Sequence, residues 1–268
     1  MKLSILLSSA FTFVFLFASC NREDQTVDAV TLMAEQVANY DDLMENAETL
    51  ADQYFDEFSG RTNCPVVSAD QPRGVFPVKV PLDFGNTGCR GIDGRIRSGK
   101  IHIYRTSRDS LLRPGALRIV TLENYKVEGI SVAGTRSWQN IGLDSLGRPI
   151  YSVSTHGGEL VFQDGSSIYF EGNHVVTFLE GFNNGILADN VFSITGTSSG
   201  ITRKGTNWTS QITVPLIKKF ACRWITDGVR NIQINNNTYI IDFGDGTCDR
   251  RALLTLPSGR TRVVWFRP

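Results

Sequence analysis

The sequence has few of the residues that most often carry catalysis or bind metals. Its 268 residues include only three histidines, His102, His156 and His174, and none belongs to an H-x-x-x-H or H-E-x-x-H pattern. No C-x2-C pair marks a zinc site. We therefore expect no cofactor and no metal, and we assign no residue a catalytic role.

The net charge of the chain is zero, because 27 basic residues balance 27 acidic ones. The balance is uneven along the chain. Residues 23–58 contain eleven acids and no lysine or arginine, whereas the chain from Ser59 onward has 25 basic and 16 acidic residues. An acidic segment followed by a basic body favours contact between the two, and overall neutrality gives no support to a nucleic-acid partner.

Long apolar runs are absent except at the start of the chain. Leu3 to Phe17 is almost entirely apolar, follows a single lysine and is too short to span a bilayer as a helix, which predicts a signal peptide over residues 1–19. The segment Leu16-Phe17-Ala18-Ser19-Cys20 resembles the lipobox of bacterial lipoproteins. The resemblance implies cleavage before Cys20, acylation of its thiol, and a lipidated tether over residues 20–26.

A long amphipathic acidic helix is predicted over residues 27–60. Its apolar residues recur at spacings of three and four, no proline interrupts them, and Ser59-Gly60 provides a stop. We expect the helix to dock on the basic body or on a basic partner, because a coiled coil of such helices would bring like charges together. A solvated stalk is the alternative. The apolar residues are Val30, Met33, Val37, Tyr40, Met44, Ala47, Ala51, Tyr54 and Phe58.

Residues 61–268 have the pattern of an all-β domain. Short β-branched or aromatic runs such as Ile101–Tyr104 and Arg262–Phe266 are separated by turn residues such as Asp164-Gly165. No helical stripe of ten residues or more occurs past Gly60. The fold class is therefore mainly β, with an antiparallel, hairpin-rich body.

The β body contains an internal repeat that carries its cysteines. Asp83-Phe84-Gly85-Asn86-Thr87-Gly88-Cys89 and Asp242-Phe243-Gly244-Asp245-Gly246-Thr247-Cys248 share Asp, Phe, Gly and Cys at equal offsets. Cys64 precedes Cys89 by 25 residues and Cys222 precedes Cys248 by 26. An exported chain with four cysteines besides Cys20 is expected to form two disulfides. Three connectivities are open, and the repeat favours Cys64 with Cys89 and Cys222 with Cys248.

Several segments resemble an uncharacterised group of Bacteroidota lipoproteins. They are Asn86–Lys100, Arg113–Ala116, Thr121–Tyr125 and Asp242–Asp249. Asn21-Arg22-Glu23-Asp24 is similar to the signal that sends lipoproteins of these bacteria to the outer leaflet of the outer membrane. The resemblance implies a lipid-anchored protein of the outer membrane, exposed at the cell surface, and implies no activity.

Basic residues are concentrated between Arg90 and Arg118, with eight cations against two acids. The strand in this region predicts a surface that binds an anionic ligand or docks the acidic helix. Its candidate residues are Arg95, Arg97, Lys100, His102, Tyr104 and Arg105.

Three weaker patterns remain. Glu159, Asp164 and Glu171 flank one hairpin and could form a carboxylate pair for glycoside hydrolysis. A calcium site would use Asp242, Asp245 and Asp249, whose spacing fits a calcium loop poorly. Asp109-Ser110-Leu111 and Asp144-Ser145-Leu146 resemble O-glycosylation sites of Bacteroidota, which implies Ser110 and Ser145 as acceptors.

The sequence thus favours a lipid-anchored binding or interaction module of the outer membrane or cell surface. Its expected partners are the membrane, through the N-terminal lipid, and a glycan or an envelope protein. A structural or accessory subunit of an envelope assembly and a glycan hydrolase are the alternatives.

Overall fold

The computed structural model describes residues 40–41, 43–51, 53–55, 64–91, 93–107, 113–182, 184 and 186–265. These residues form one helix and fourteen β-strands. The strands are β1 (Val66–Val67), β2 (Val78–Asp83), β3 (Cys89–Arg90), β4 (Ile96–Arg105), β5 (Leu117–Val127), β6 (Ile130–Leu143), β7 (Pro149–Val161), β8 (Ser167–Glu180), β9 (Val191–Ile201), β10 (Asn207–Lys219), β11 (Ile225–Ile234), β12 (Asn237–Asp245), β13 (Arg251–Thr255) and β14 (Thr261–Trp265). A short 3-10 turn, Leu187–Asp189, precedes β9.

The strands make one antiparallel sheet in which neighbours in sequence are neighbours in space. The order is β1-β2-β4 and then consecutively to β14, with β3 paired to β4. Tight turns explain this meander: Asn235 and Asn236 have φ of 49° and 65°, the left-handed pair that a two-residue hairpin needs. The predicted mainly antiparallel β fold is confirmed.

The described helix covers only part of the predicted range. Helical residues fall between 40 and 55, and we call this segment α1. The predicted range of 27–60 is not supported as one long helix, because only this short part is helical among the described residues. Residues 27–39 and 56–60 of that prediction lie outside the described residues, as does the leader with Cys20.

Helix α1 packs against one face of the sheet. Tyr40, Met44, Ala47, Ala51 and Tyr54 have at most 1% of their surface exposed. Of the α1 side chains that the structure describes, those exposed are at positions 45, 49 and 53, a single narrow stripe one turn apart. The described part of the predicted apolar face is thus buried against the sheet, and such tertiary packing is the main source of helix stability in proteins.

The sheet curves where register shifts beside glycines interrupt the pairing of its strands. The strand registers shift at Gly99, Gly134, Gly157 and Gly228, all of which have positive φ. A bulge adds a residue to one strand and increases its local bend and twist. The curved sheet presents a concave face to α1 and a convex face to solvent, with side chains alternating between them.

Both predicted disulfides are confirmed, Cys64–Cys89 and Cys222–Cys248. The two copies of the repeated segment also share local geometry. The carboxylate of Asp83 accepts a hydrogen bond from the amide of Gly85, and Asp242 does the same for Gly244.

The two ends of the sheet differ. In an antiparallel meander, alternate connections lie at opposite ends. The connections at residues 106–116, 144–148, 181–190, 220–224 and 246–250 lie at one end, which we call the loop end. The turns at 128–129, 162–166, 202–206, 235–236 and 256–260 lie at the other, the turn end. The described part of α1 runs from Tyr40 near the turn end, over Gly158 and Phe170, to Phe55 against Phe76 and Arg105 at the loop end.

Candidate functional site

Three arginines on adjacent strands face α1 from the concave side of the sheet. Arg97 is on β4, Arg118 on β5 and Arg136 on β6, and all three are buried. Buried guanidinium groups are costly unless they are paired and hydrogen-bonded. Each of them contacts a polar side chain of α1, so the helix and the sheet are joined by charge as well as by apolar packing.

Arg97 is the most completely enclosed of the three, with 1% of its surface exposed. Its Nη2 donates to Asn46 of α1 at 2.7 Å, its Nε donates to the Tyr125 hydroxyl at 3.0 Å, and two further bonds reach the Asp93 carboxylate at 2.6 and 2.7 Å. The hydrogen bond from Arg97 lowers the pKa of Asp93 to about 2. This bidentate pair fixes Arg97 in one geometry.

Glu48 is the buried acid of the helix, with 5% of its surface exposed. Its Oε1 accepts a hydrogen bond from the indole Nε1 of Trp138 at 2.8 Å and lies 3.3 Å from Arg118 Nη2. The Arg118 guanidinium also lies 5.5 Å from the Trp138 ring centroid. The Glu48 carboxylate therefore contacts side chains of two strands, β5 and β6.

Arg136 binds the first turn of the described helix. Its Nη2 donates to Asp41 Oδ1 at 2.6 Å and its Nε donates to the Thr155 hydroxyl at 3.1 Å. Tyr40 lies alongside, and its hydroxyl donates to the Ala133 carbonyl at 3.2 Å. Burial raises the pKa of the Tyr40 hydroxyl well above its usual value.

The predicted basic surface is divided between the two faces of the sheet. Arg97 and Arg105 point to the concave side, where the Arg105 guanidinium lies 4.1 Å from the Phe55 ring centroid. Lys100, His102 and Tyr104 occupy the alternate, convex positions of β4. The six residues therefore do not share one surface, because side chains alternate along a strand. Arg97 and Arg105 contact α1, in keeping with the predicted helix-docking surface.

The convex members of the set have acidic neighbours. Lys100 Nζ lies 3.2 Å from Asp83, and His102 Nε2 lies 2.7 Å from Glu123. Arg95 precedes β4 and its Nε lies 4.0 Å from Asp93. These pairs leave the convex side of β4 with mixed charge, which weakens the case for an anion-binding surface there.

The carboxylates considered for glycoside hydrolysis are engaged separately. Asp164 closes its turn by accepting from Ser166 and pairs with Arg203 at 2.5 Å. Glu171 accepts from the Gly157 amide at 2.7 Å and lies 3.2 Å from His156 Nδ1. Glu159 lies on β7 opposite Tyr169.

The remaining predicted positions lie on turns or outside the described residues. Asp242, Asp245 and Asp249 each accept from a backbone amide two residues ahead. Within the part of the chain that the structure describes, no group of three acids, histidines or cysteines is arranged to hold a metal. Ser145 is exposed in the turn between β6 and β7. Cys20 and Ser110 fall outside the description.

Sequence reasoning missed a partly buried polar group in the concave face. His174 on β8 and Arg230 on β11 lie in the electrostatic range of Asp41. Burial, with the positive charges of Arg230 and Arg136, lowers the pKa of His174 to about 4. Within the described residues, the Arg230 Nε and the Ser210 hydroxyl have no hydrogen-bond partner. The alternation of inward and outward residues along their strands was the sequence signal that could have placed these side chains on the concave face.

Gly196-Thr197-Ser198-Ser199-Gly200 is a G-x-S-x-G segment that sequence reasoning also overlooked. In serine hydrolases this pattern forms a sharp turn from a strand into a helix. Here it lies entirely within β9, and Ser198 is only 6% exposed. The segment therefore lacks the exposed turn that a serine nucleophile needs.

A second apolar cluster lies on the concave face toward the loop end. Tyr151, Val153 and Val176 are buried, and partly buried side chains pack against them. The cluster includes no described residue of α1, although Trp138 reaches Glu48 through its indole. Phe178 and Phe192 stack with centroids 4.5 Å apart, and Trp138 meets Tyr151 edge-on at 6.0 Å. We call Trp138, Tyr151, Val153, Val176, Phe178, Phe192 and Ile194 the aromatic cluster.

Comparisons with known proteins place the chain in no family. No protein-family model, no curated protein and no solved structure matches it. Among the described residues, no helix is long and apolar enough to cross a membrane. Any function must therefore be argued from the chain's own residues.

Proposed function

We propose that this protein is an exported, lipid-anchored binding protein of the outer membrane or cell surface, and that its ligand occupies the aromatic cluster. The ligand site is supported by the division of the concave face between helix α1 and the aromatic cluster. Helix α1 contacts strands β4 to β6 through three arginines and strands β7 and β8 through Tyr40 near the turn end. The aromatic cluster lies toward the loop end, includes none of the described residues of α1, and contacts the helix through the Trp138 indole.

The chemistry of the cluster favours an apolar ligand. Its four aromatic rings and three aliphatic side chains offer large apolar surfaces, and Trp138, Phe178, Phe192 and Ile194 are only partly buried. Ligand sites are typically concave and mostly apolar with few polar groups. An acyl chain is the ligand class that this lining suits best.

A fluorescent fatty acid, cis-parinaric acid, tests the ligand site. We expect saturable binding by the chain that starts at residue 20 with Cys20→Ser, and at least about a tenfold higher Kd for Phe192→Ser, since burial of one phenyl group contributes roughly 1.5–3 kcal/mol. The matched control is Tyr169→Ser, which removes a ring that is 46% exposed on the convex face. Equal affinities for the two variants would exclude the cluster as the site.

Mass spectrometry of the protein extracted from membranes tests the anchor. An acylated N-terminus at Cys20, lost in Cys20→Ser together with membrane retention, is the expected result. The proposal of an accessory subunit is tested in the same extract, where a stoichiometric protein partner without ligand binding would favour it.

A further inference from the structure

The loop end carries large apolar side chains at the tips of separate connections. Leu146 between β6 and β7 is 73% exposed, Ile186 between β8 and β9 is 56% exposed, and Phe220 after β10 is 44% exposed. Trp265 at the end of β14 reaches the same end and is 55% exposed. The five described turns of the turn end carry no exposed large apolar side chain, and the strand ends beside them expose Ile96 by 46% and Ile201 by 36%.

Cations accompany these apolar tips. The guanidinium of Arg223 lies 5.1 Å from the Trp224 ring centroid, and that of Arg250 lies 5.8 Å from the Trp265 ring centroid. Arg251 is the direct strand partner of Trp265 and is also exposed. Acids are present too: Asp144 lies 2.7 Å from Arg148, Asp249 lies 3.3 Å from Arg251, and Asp189 between β8 and β9 is exposed.

We infer that the loop end docks on a lipid surface, with Leu146, Ile186 and Phe220 entering the acyl region and the arginines at the level of the phosphates. Exposed aliphatic and aromatic side chains together with Arg and Trp match the composition of an interfacial anchor, in which Trp and cationic heads occupy the head-group layer. Cations near an anionic leaflet add electrostatic attraction.

Docking at the loop end would bring the aromatic cluster close to the lipid surface. The cluster lies on the concave face toward the same end, within the strands that carry the Leu146 and Ile186 loops. An acyl chain leaving the lipid surface would therefore reach the cluster without crossing bulk water. This consequence rests on the proposed function, whereas docking itself does not.

The N-terminal tether is long enough to permit this orientation. The described part of α1 begins near the turn end, and a strand of 14 residues such as β6 spans about 45 Å. Residues 20 to 40 can extend to at most about 70 Å. A lipid at Cys20 and the loop end can thus contact one membrane.

Vesicle sedimentation tests the docking surface without the anchor. The chain from residue 20 with Cys20→Ser should bind vesicles of phosphatidylglycerol and phosphatidylcholine. The triple variant Leu146→Ser/Ile186→Ser/Phe220→Ser should lower the partition coefficient at least about tenfold, because three apolar groups no longer enter the bilayer. The matched control is Tyr169→Ser/Val175→Ser/Ile201→Ser, which removes side chains that are 36–46% exposed on the convex face, and it should bind as the parent does.

Two further measurements test docking without the triple variant and so do not depend on its folding. In Leu146→Trp, brominated lipids should quench the added indole, and Arg250→Gln/Arg251→Gln should reduce the preference for phosphatidylglycerol over phosphatidylcholine. Absence of vesicle binding, an added indole that brominated lipids leave unquenched, or equal losses in the two triple variants would overturn docking. Parinarate binding, measured separately, reports on the proposed function whatever the vesicles show.

Discussion

Arg136 Nη2 lies 2.6 Å from Asp41 Oδ1, a pair that joins residues 95 positions apart in the sequence. The arginine side chain is 10% exposed and the aspartate 45% exposed. A nearly buried cation is thus neutralised by the first described turn of α1. The pair, with Glu48 and Asn46 farther along the helix, shows that the acidic segment and the basic sheet are complementary within one chain.

Removal of Asp41 should destabilise the protein through the charge it leaves behind. We expect Asp41→Ala to lower the free energy of unfolding by about 1–3 kcal/mol, less than for a fully buried pair because Asp41 is half-exposed. Arg136→Met in the same chain should recover part of the loss. Urea denaturation of the four members of this double-mutant cycle gives the coupling energy.

Glu45→Ala is the matched control for this cycle, since it removes an acid from the exposed stripe of the same helix. A loss equal to that of Asp41→Ala would mean that helix charge in general, rather than the contact with Arg136, is responsible.

Gly158 makes room for Tyr40. A Cβ at this position would lie 2.8 Å from Tyr40 Cζ and 2.6 Å from the Phe170 carbonyl oxygen, both closer than side-chain carbons approach other atoms. We expect Gly158→Ala to cost about 1–3 kcal/mol of unfolding free energy, as overpacking of a core does. Thermal and urea unfolding measure the change.

The strain from Gly158→Ala should be relieved in part by a smaller residue at position 40. Tyr40→Leu is therefore expected to cost less in the Gly158→Ala background than alone, a non-additive result. Strict additivity of the two changes would show that Tyr40 does not occupy the space over Gly158.

His174 should make stability depend on pH. The folded protein holds the pKa of His174 at about 4, below the ordinary value of 6.5, because burial and the charges of Arg230 and Arg136 disfavour the imidazolium, against the opposing charge of Asp41. Between these values the unfolded chain binds more protons, so stability falls as the pH falls from 6.5 to 4. We expect a loss of about 2–3 kcal/mol over this window, allowing for partial solvent exposure.

The measurement is urea denaturation at several pH values from 7.5 to 4.5. The slope should be smaller in His174→Gln than in the parent. Asn173→Ala, which changes an exposed neutral side chain next to His174 on the same strand, is the control and should keep the slope of the parent. Parallel slopes in parent and His174→Gln would contradict a buried neutral imidazole.

The local patterns of the sequence were sufficient for the fold class and the disulfides. Alternating β-branched runs and Asn-Asn or Asp-Gly turns determine antiparallel hairpins because both act over a few residues. The repeated Asp-Phe-Gly frame gave the pairing of Cys64 with Cys89 and of Cys222 with Cys248, which the structure confirms. The opposed charges of the two segments also follow from the sequence alone.

Only the tertiary structure decided which side chains from distant strands form a cluster and at which end of the sheet they lie. Arg97 and Lys100 lie on opposite faces because they are three residues apart on β4, but the tertiary structure decided that Arg97 contacts Asn46 of α1 and Lys100 contacts Asp83 of β2. Phe178 and Phe192 stack because β8 and β9 pair, although a loop separates them in the sequence. Sequence patterns report neighbours along the chain, whereas the curvature of the sheet and the alternation of its connections determine which distant side chains form a cluster and which reach solvent.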